Sequence, residues 1–162
     1  MTLTRVMGWG WENMGLFHFR NWAGRGVSVT PDQLIAHWKA LEPEDMGYPR
    51  DSKYRAISND DFMELVEKYR NDDGDYEANR RDCDKYAVFF QADILRAWAD
   101  ICDSYEALAF GYVSGTIIDD DGKQGGHAWI WQLDDKGVIQ YIQAQSNKPM
   151  TWKVVSVDWI EG

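Results

Sequence analysis

The sequence is poor in cysteine, proline and positive charge, and it holds no long apolar run. Only two cysteines occur in 162 residues, Cys83 and Cys102. If one helix carries both, they stand about 28 Å apart at 1.5 Å per residue, far beyond disulfide reach. That excludes a disulfide scaffold, and two unpaired thiols fit a reducing compartment. Lysine and arginine number 17 against 27 acidic residues, for a net charge of −10 and a pI near 4.6. Such a balance argues against general nucleic-acid binding and suits cationic partners or divalent ions. No stretch approaches about 18 uninterrupted apolar residues, so none is expected to span a membrane. The N-terminus lacks a basic region followed by an apolar run, so no secretory leader is expected and the expected location is cytoplasmic. With four prolines, no repeat and no linker composition, residues 1–162 are expected to form one domain.

Against those shortages stand 44% hydrophobic residues, 14% aromatics and nine tryptophans. A chain of this size and make-up buries about two-thirds of its unfolded surface. Residues 1–29 interleave Trp9, Trp11, Phe17, Phe19 and Trp22 with glycines and show no clean period, so they are expected to form an irregular aromatic arm. His18 in that arm and His37 further on are read as structural.

Thr30-Pro31-Asp32-Gln33 combines an N-cap threonine, proline at the first helical position and glutamine three residues on. It predicts a helix with Leu34, Ile35, Trp38 and Leu41 on its apolar face, ending before Pro43. Residues 42–56 are expected to be loop. Ser58-Asn59-Asp60-Asp61 opens a second helix, with Phe62, Leu65, Val66 and Tyr69 inward. The acidic stretch Asn71–Asp75 lacks the spacing and closing glutamate of a calcium loop and is read as a solvated turn.

From Asp84 onward, Ala87, Phe90, Ile94, Ala97, Trp98 and Ile101 recur at three- and four-residue steps, which predicts a long amphipathic helix from Cys83 to about Cys102. Asp82 occupies the N-cap position, so Cys83 would be the first helical residue. A thiol there faces unsatisfied backbone N–H groups and the positive end of the helix dipole, both of which favour the thiolate. Cys102, at the other end, is expected to be buried and inert.

Beyond the helix the period changes to that of strands: 107–113, 127–133, 138–143 and 153–160. Asp134-Asp135-Lys136-Gly137 is a hairpin signal with glycine at the left-handed position. Helices first and antiparallel strands after predict an α+β domain, with the central helix packed on an antiparallel sheet. The hairpin sets a register. With Asp134 opposite Val138, Trp129 faces Gln143 and His127 faces Gln145, all on one side of the sheet. His127 then lies diagonally from Gln143 at about 7–8 Å, a span that a glutamine side chain can bridge.

A cysteine at a helix start, a histidine on a strand and an amide on the neighbouring strand match a nucleophile, base and orienter. Asp82-Cys83-Asp84-Lys85-Tyr86-Ala87 resembles the D-C-D-D-F-A type segment at the nucleophile of bacterial and phage transglutaminase-like proteins. Gly126-His127-Ala128 resembles their G-H-A segment. Tyr141-Ile142-Gln143-Ala144-Gln145 resembles an I-E-P-Q segment in proteins related to the papain-like domain of a mushroom agglutinin. The resemblance, to the papain-like/transglutaminase-like cysteine protease superfamily, spans about residues 54–160. It implies Cys83 as nucleophile, His127 as general base and Gln143 as orienter, with Gln145 as the fallback orienter and Asn79 as oxyanion support. The agglutinin-like relatives also imply that a divalent cation such as calcium is admissible, although no ligand set here has the spacing to name. Where those relatives carry a carboxylate as third member, this chain has Gln143; a neutral amide orients the ring without stabilising a histidinium. Two functions follow. One is a cysteine hydrolase or acyl-transferase acting on a peptide or isopeptide amide, its partner a peptide or protein substrate. The other is a non-catalytic, acidic binding protein of phage or bacterial origin on the same fold.

Overall fold

The computed structural model describes residues 24, 26–70, 82–102 and 105–162. Three helices and nine strands appear among them: β1 (Val27–Val29), α1 (Pro31–Lys39), β2 (Asp45–Met46), β3 (Tyr54–Ala56), α2 (Asn59–Tyr69), α3 (Cys83–Ile101), β4 (Ala107–Leu108), β5 (Phe110–Ile118), β6 (Gln124–Leu133), β7 (Ile139–Gln143), β8 (Lys148–Pro149) and β9 (Lys153–Glu161). The architecture is α+β, as the order of periodicities predicts.

Both short helices start where their caps dictate. Thr30 Oγ1 accepts from the Gln33 N–H at 3.3 Å while Gln33 Oε1 accepts from the Thr30 N–H at 2.8 Å, a reciprocal capping box. Ser58 accepts from the Asp61 N–H. The long helix differs. Asp82 holds the N-cap position but its carboxylate caps no backbone group. Lys85 Nζ takes both of its oxygens instead, at 2.9 and 3.0 Å.

A six-stranded sheet of order β2-β9-β5-β6-β7-β8 forms the centre, antiparallel except where β2 runs parallel to β9. A smaller sheet, β1-β3-β4, stands beside it. These small strands correct the expectation of an unstructured 42–56 and of an arm irregular as far as residue 29. Two or three residues paired to distant segments leave no period to read in their own sequence. The expected strand 107–113 is also divided. The chain pairs with β3 through Leu108, breaks step at Ala109, and enters the large sheet at Phe110.

Core residues fall on the two faces of the large sheet. On one face Phe110, Ala128, Ile130 and Ile142 meet Phe62, Leu65 and Val66 of α2 and Phe90, Ile94 and Ile101 of α3. On the other, Val113, Trp129, Trp131, Leu133 and Val157 meet Leu34 and Trp38 of α1 and Tyr54 and Ala56 of β3. Trp38 and Trp131 contact edge to face, 5.5 Å between ring centres, a favoured aromatic geometry. Beyond the end of α2, Arg70 Nη1 pairs with Asp93 of α3 at 3.0 Å, its side chain almost wholly enclosed. The two helices over the first face are thereby joined by charge as well as by packing.

Candidate functional site

The predicted hairpin register is the one observed. Ile130 pairs with Ile142, Trp131 with Tyr141, Gln132 with Gln140 and Leu133 with Ile139. Gly137 takes φ +78, and the turn closes through Gly137 N–H to Asp134 O. Asp134 is buried, and its carboxylate holds the turn by accepting from the Lys136 and Val138 N–H groups and from Gln140 Nε2.

This register brings His127 to Gln143. The ring Nε2 and Gln143 Oε1 lie 2.9 Å apart. With the amide oxygen as acceptor, Nε2 carries the proton and Nδ1 is left with a free lone pair. The fallback, Gln145, does not share the site: β7 stops at Gln143 and the chain turns away, leaving Gln145 exposed. Asn79 lies outside the described residues, as does the acidic stretch Asn71–Asp75.

Cys83 opens α3 and is half-buried. Its sulfur is approached by the backbone N–H groups of Ala128, Asp84 and Cys83 itself, all of which favour the thiolate. The strand geometry explains the Ala128 contact. In β6 the odd-numbered residues direct N–H and C=O toward β5, as Leu133 N–H to Ala109 O records. The even-numbered ones point the other way. Pairing with β7 begins only at Ile130, so the Ala128 N–H lies beyond the ladder, on the side from which it favours the Cys83 thiolate. Cys83 is thus placed against the backbone of Ala128, the residue that follows the histidine; its sulfur packs with the Ala128 face of the sheet, whereas the His127 ring stacks on Trp129 of the other face. The sulfur's side-chain contact is a long one to Asp84 Oδ1, 3.9 Å away, and no hydrogen bond joins it to the imidazole among the described residues.

Electrostatics correct one expectation. Burial pushes the Cys83 thiol above its ordinary value, outweighing the three N–H groups, and the Asp84 carboxylate pushes the same way. Burial likewise lowers His127 below 6.5, against the opposing effect of the Gln143 hydrogen bond. The dipole argument was sound in sign but smaller than desolvation at a half-buried sulfur. The resting pair is therefore neutral thiol and neutral imidazole. Cys102 is also free of any disulfide, though half-buried where full burial was expected.

Two residues that sequence reasoning passed over shape the histidine's surroundings. The Trp152 ring lies 4.9 Å from the imidazole at 54°, and Trp129 stacks on it at 6.1 Å and 17°. Trp152 Nε1 in turn donates to Asp120 Oδ2 at 3.3 Å. Nothing local marks Trp152 among nine tryptophans; its importance comes from a contact across the β5–β6 turn. Within that turn the Asp119 carboxylate is used internally, with Oδ1 accepting from the Asp121 and Lys123 N–H groups. Among the described residues, no three His, Cys, Asp or Glu side chains converge to hold a metal ion. Nor is any described helix long and apolar enough to cross a membrane.

No protein-family model matches the sequence, and no curated protein does. Solved structures do match in fold. A Polyporus squamosus lectin, bound to the human-type influenza-binding epitope Neu5Aca2-6Galb1-4GlcNAc, aligns with a TM-score of 0.64 at 17% identity over 82% of this chain and 49% of its own. A structure described as a PSL1a-E64 complex aligns with a TM-score of 0.63 at 15% identity over 82% and 50%. This chain spans about half the length of either, and what it shares with them is the α+β fold of a mushroom agglutinin.

Proposed function

We propose that Cys83, His127 and Gln143 form a thiol-dependent site for hydrolysis or transfer of an acyl group from a peptide or isopeptide amide. The observation that carries this reading is the 2.9 Å contact between His127 Nε2 and Gln143 Oε1, which leaves the Nδ1 lone pair free to act as a base, one residue from the Ala128 N–H that approaches Cys83. In the reaction the Cys83 thiol gives its proton to Nδ1 as sulfur bonds to the carbonyl carbon. The Cys83 backbone N–H supports the oxyanion. The tetrahedral adduct collapses, the amine leaves with the proton from the imidazole, and water or a second amine releases the acyl group. Because the resting pair is neutral, proton transfer accompanies attack instead of preceding it.

The second reading is a non-catalytic binding protein. It is supported by the upward push on the thiol, by the amide in place of a carboxylate, and by a neighbour described as a lectin with a bound glycan. Alkylation by E64, a thiol-reactive epoxide, separates the two. The catalytic reading expects Cys83 to be modified at pH 7.5 at least tenfold faster than Cys102, with His127→Ala lowering that rate by about a hundredfold, the low end for a general base. Equal rates for the two cysteines, or a rate indifferent to His127, would leave the binding protein as the function; peptide mapping by mass spectrometry reads both.

A further inference from the structure

Helix α3 is apolar on two opposite faces. Phe90, Ile94, Ala97 and Ile101 are buried against the rest of the molecule, and Val88, Ala92, Leu95 and Ala99 point the other way. Given about 3.6 residues per turn, these last four fall within an arc of about 60°, centred nearly opposite the buried face. Val88 is 54% and Leu95 44% exposed, and Ala92 and Ala99 are exposed as well. Single exposed apolar residues are ordinary on a protein surface. Steps of four, three and four residues along one arc are instead the spacing of a coiled-coil seam. A helix apolar all round is one that is covered on every side.

The order of sizes along the seam says what covers it. Val88, Ala92, Leu95 and Ala99 read large, small, large, small, and their spacing is the same in either direction. A second α3 laid antiparallel sets its Ala99 on Val88 and its Leu95 on Ala92, so every layer holds one large and one small side chain. Laid parallel, the seam would stack Leu95 on Leu95 and Ala92 on Ala92, crowding one layer and leaving a void in the next. Phe89, 44% exposed, and the exposed Arg96 flank the seam on one side, seven residues apart. In the antiparallel pair each Phe89 ring comes beside Arg96 of the other copy, a cation beside an aromatic ring at two symmetric places.

We propose that the outer face of α3 docks a second copy of this chain, antiparallel about a two-fold axis that passes midway between Ala92 and Leu95. The seam is about 16 Å long at 1.5 Å per residue, which places the contact among small, reversible interfaces. It lies on the side of α3 turned away from the sheet and does not depend on the chemistry at Cys83.

Sedimentation velocity of the full chain over about 1–300 μM reads the association, with about 0.15 M salt to screen the net charge of −10. A passage from monomer to dimer within that range is expected. Leu95→Glu puts a carboxylate into both central layers and should weaken the dimer by at least about a hundredfold. Circular dichroism checks that α3 survives the change, and Ala99→Glu tests the outer layers should it not. Mixing Leu95→Glu with Ala92→Lys should restore a heterodimer, because the antiparallel register sets positions 95 and 92 together. Mixing it with Val88→Lys should not. A chain still monomeric at the highest concentration overturns the proposal and leaves the face to a different protein. A dimer indifferent to both glutamate variants, or rescued equally by either lysine, overturns it as well.

Discussion

Replacing Gln143 with glutamate would change the character of the site more than any other single substitution. In the protein as it stands, His127 is held below 6.5, because burial outweighs the hydrogen bond it donates to Gln143. The Gln143→Glu side chain places a carboxylate where the amide oxygen now sits, 2.9 Å from Nε2. An opposite charge at that range commonly moves a pKa by about 1–3 units, equivalent to about 1.4–4 kcal/mol. The histidine should therefore pass from below its ordinary value to above it. The linkage reverses with it. In the parent protein the depressed imidazole contributes stability that is present above pH 6.5 and lost as pH falls through the folded value. In the variant the contribution is present below 6.5 and lost as pH rises through the new, higher value. Proton-detected NMR of the histidine ring carbons follows the titration, and His127→Asn assigns the resonance against His18 and His37. An imidazolium would also stabilise the thiolate, so iodoacetamide should modify Cys83 about tenfold faster between pH 6 and 7, a gain equivalent to one pKa unit. If the variant's histidine titrates at or below the parent value, Gln143 is not the partner that sets its state and the triad assignment falls.

Two other substitutions probe separate parts of the argument. Trp152→Ala removes the ring 4.9 Å from His127 and admits water, so the imidazole should rise toward 6.5 in the same NMR titration; an unchanged midpoint would remove burial by Trp152 as the cause. Gly115→Ala would drive a methyl group to 2.2 Å from Ser156 O, and a backbone shift at that strand crossing should cost about 2–4 kcal/mol in urea unfolding, whereas an unaltered midpoint would show that β5 and β9 can part without strain.

Much of the site could be read from the sequence because its geometry is local to one hairpin. Once Asp134 and Gly137 fix the turn, period-two alternation carries the register from Leu133 and Ile139 out to His127 and Gln143 with no further information. The start of α3 at Cys83 was legible for a similar reason, since the apolar stripe from Ala87 to Ile101 has one phase. What escaped notice depends on distant pairing or on relative magnitudes. Strands β1 to β4 exist because Tyr54 meets Ala107 and Val27 meets Ala56, and no pattern within two or three residues announces that. Asp82 holds the N-cap position as expected, but its carboxylate is taken by Lys85, one turn on, a competition that the cap pattern alone does not reveal. Dipole and desolvation act oppositely on Cys83, and only the packing of α3 against β6 decides between them.

The two parallel pairings have a consequence for how fast the molecule can assemble. Strand β4 reaches β3 only after α2 and α3 have been traversed, and β2 meets β9 across most of the chain. Neither contact forms by zipping outward from a turn, as β6 and β7 do. Loop-closure entropy must be met before either pairing returns anything, which places the domain toward the slow, millisecond-to-second end of single-domain folding. The β6–β7 hairpin, by contrast, closes in about 1–10 μs. His127 and Gln143 are thus joined by a local, fast-closing hairpin, whereas the placing of Cys83 depends on the longer-range docking of α3 on the sheet.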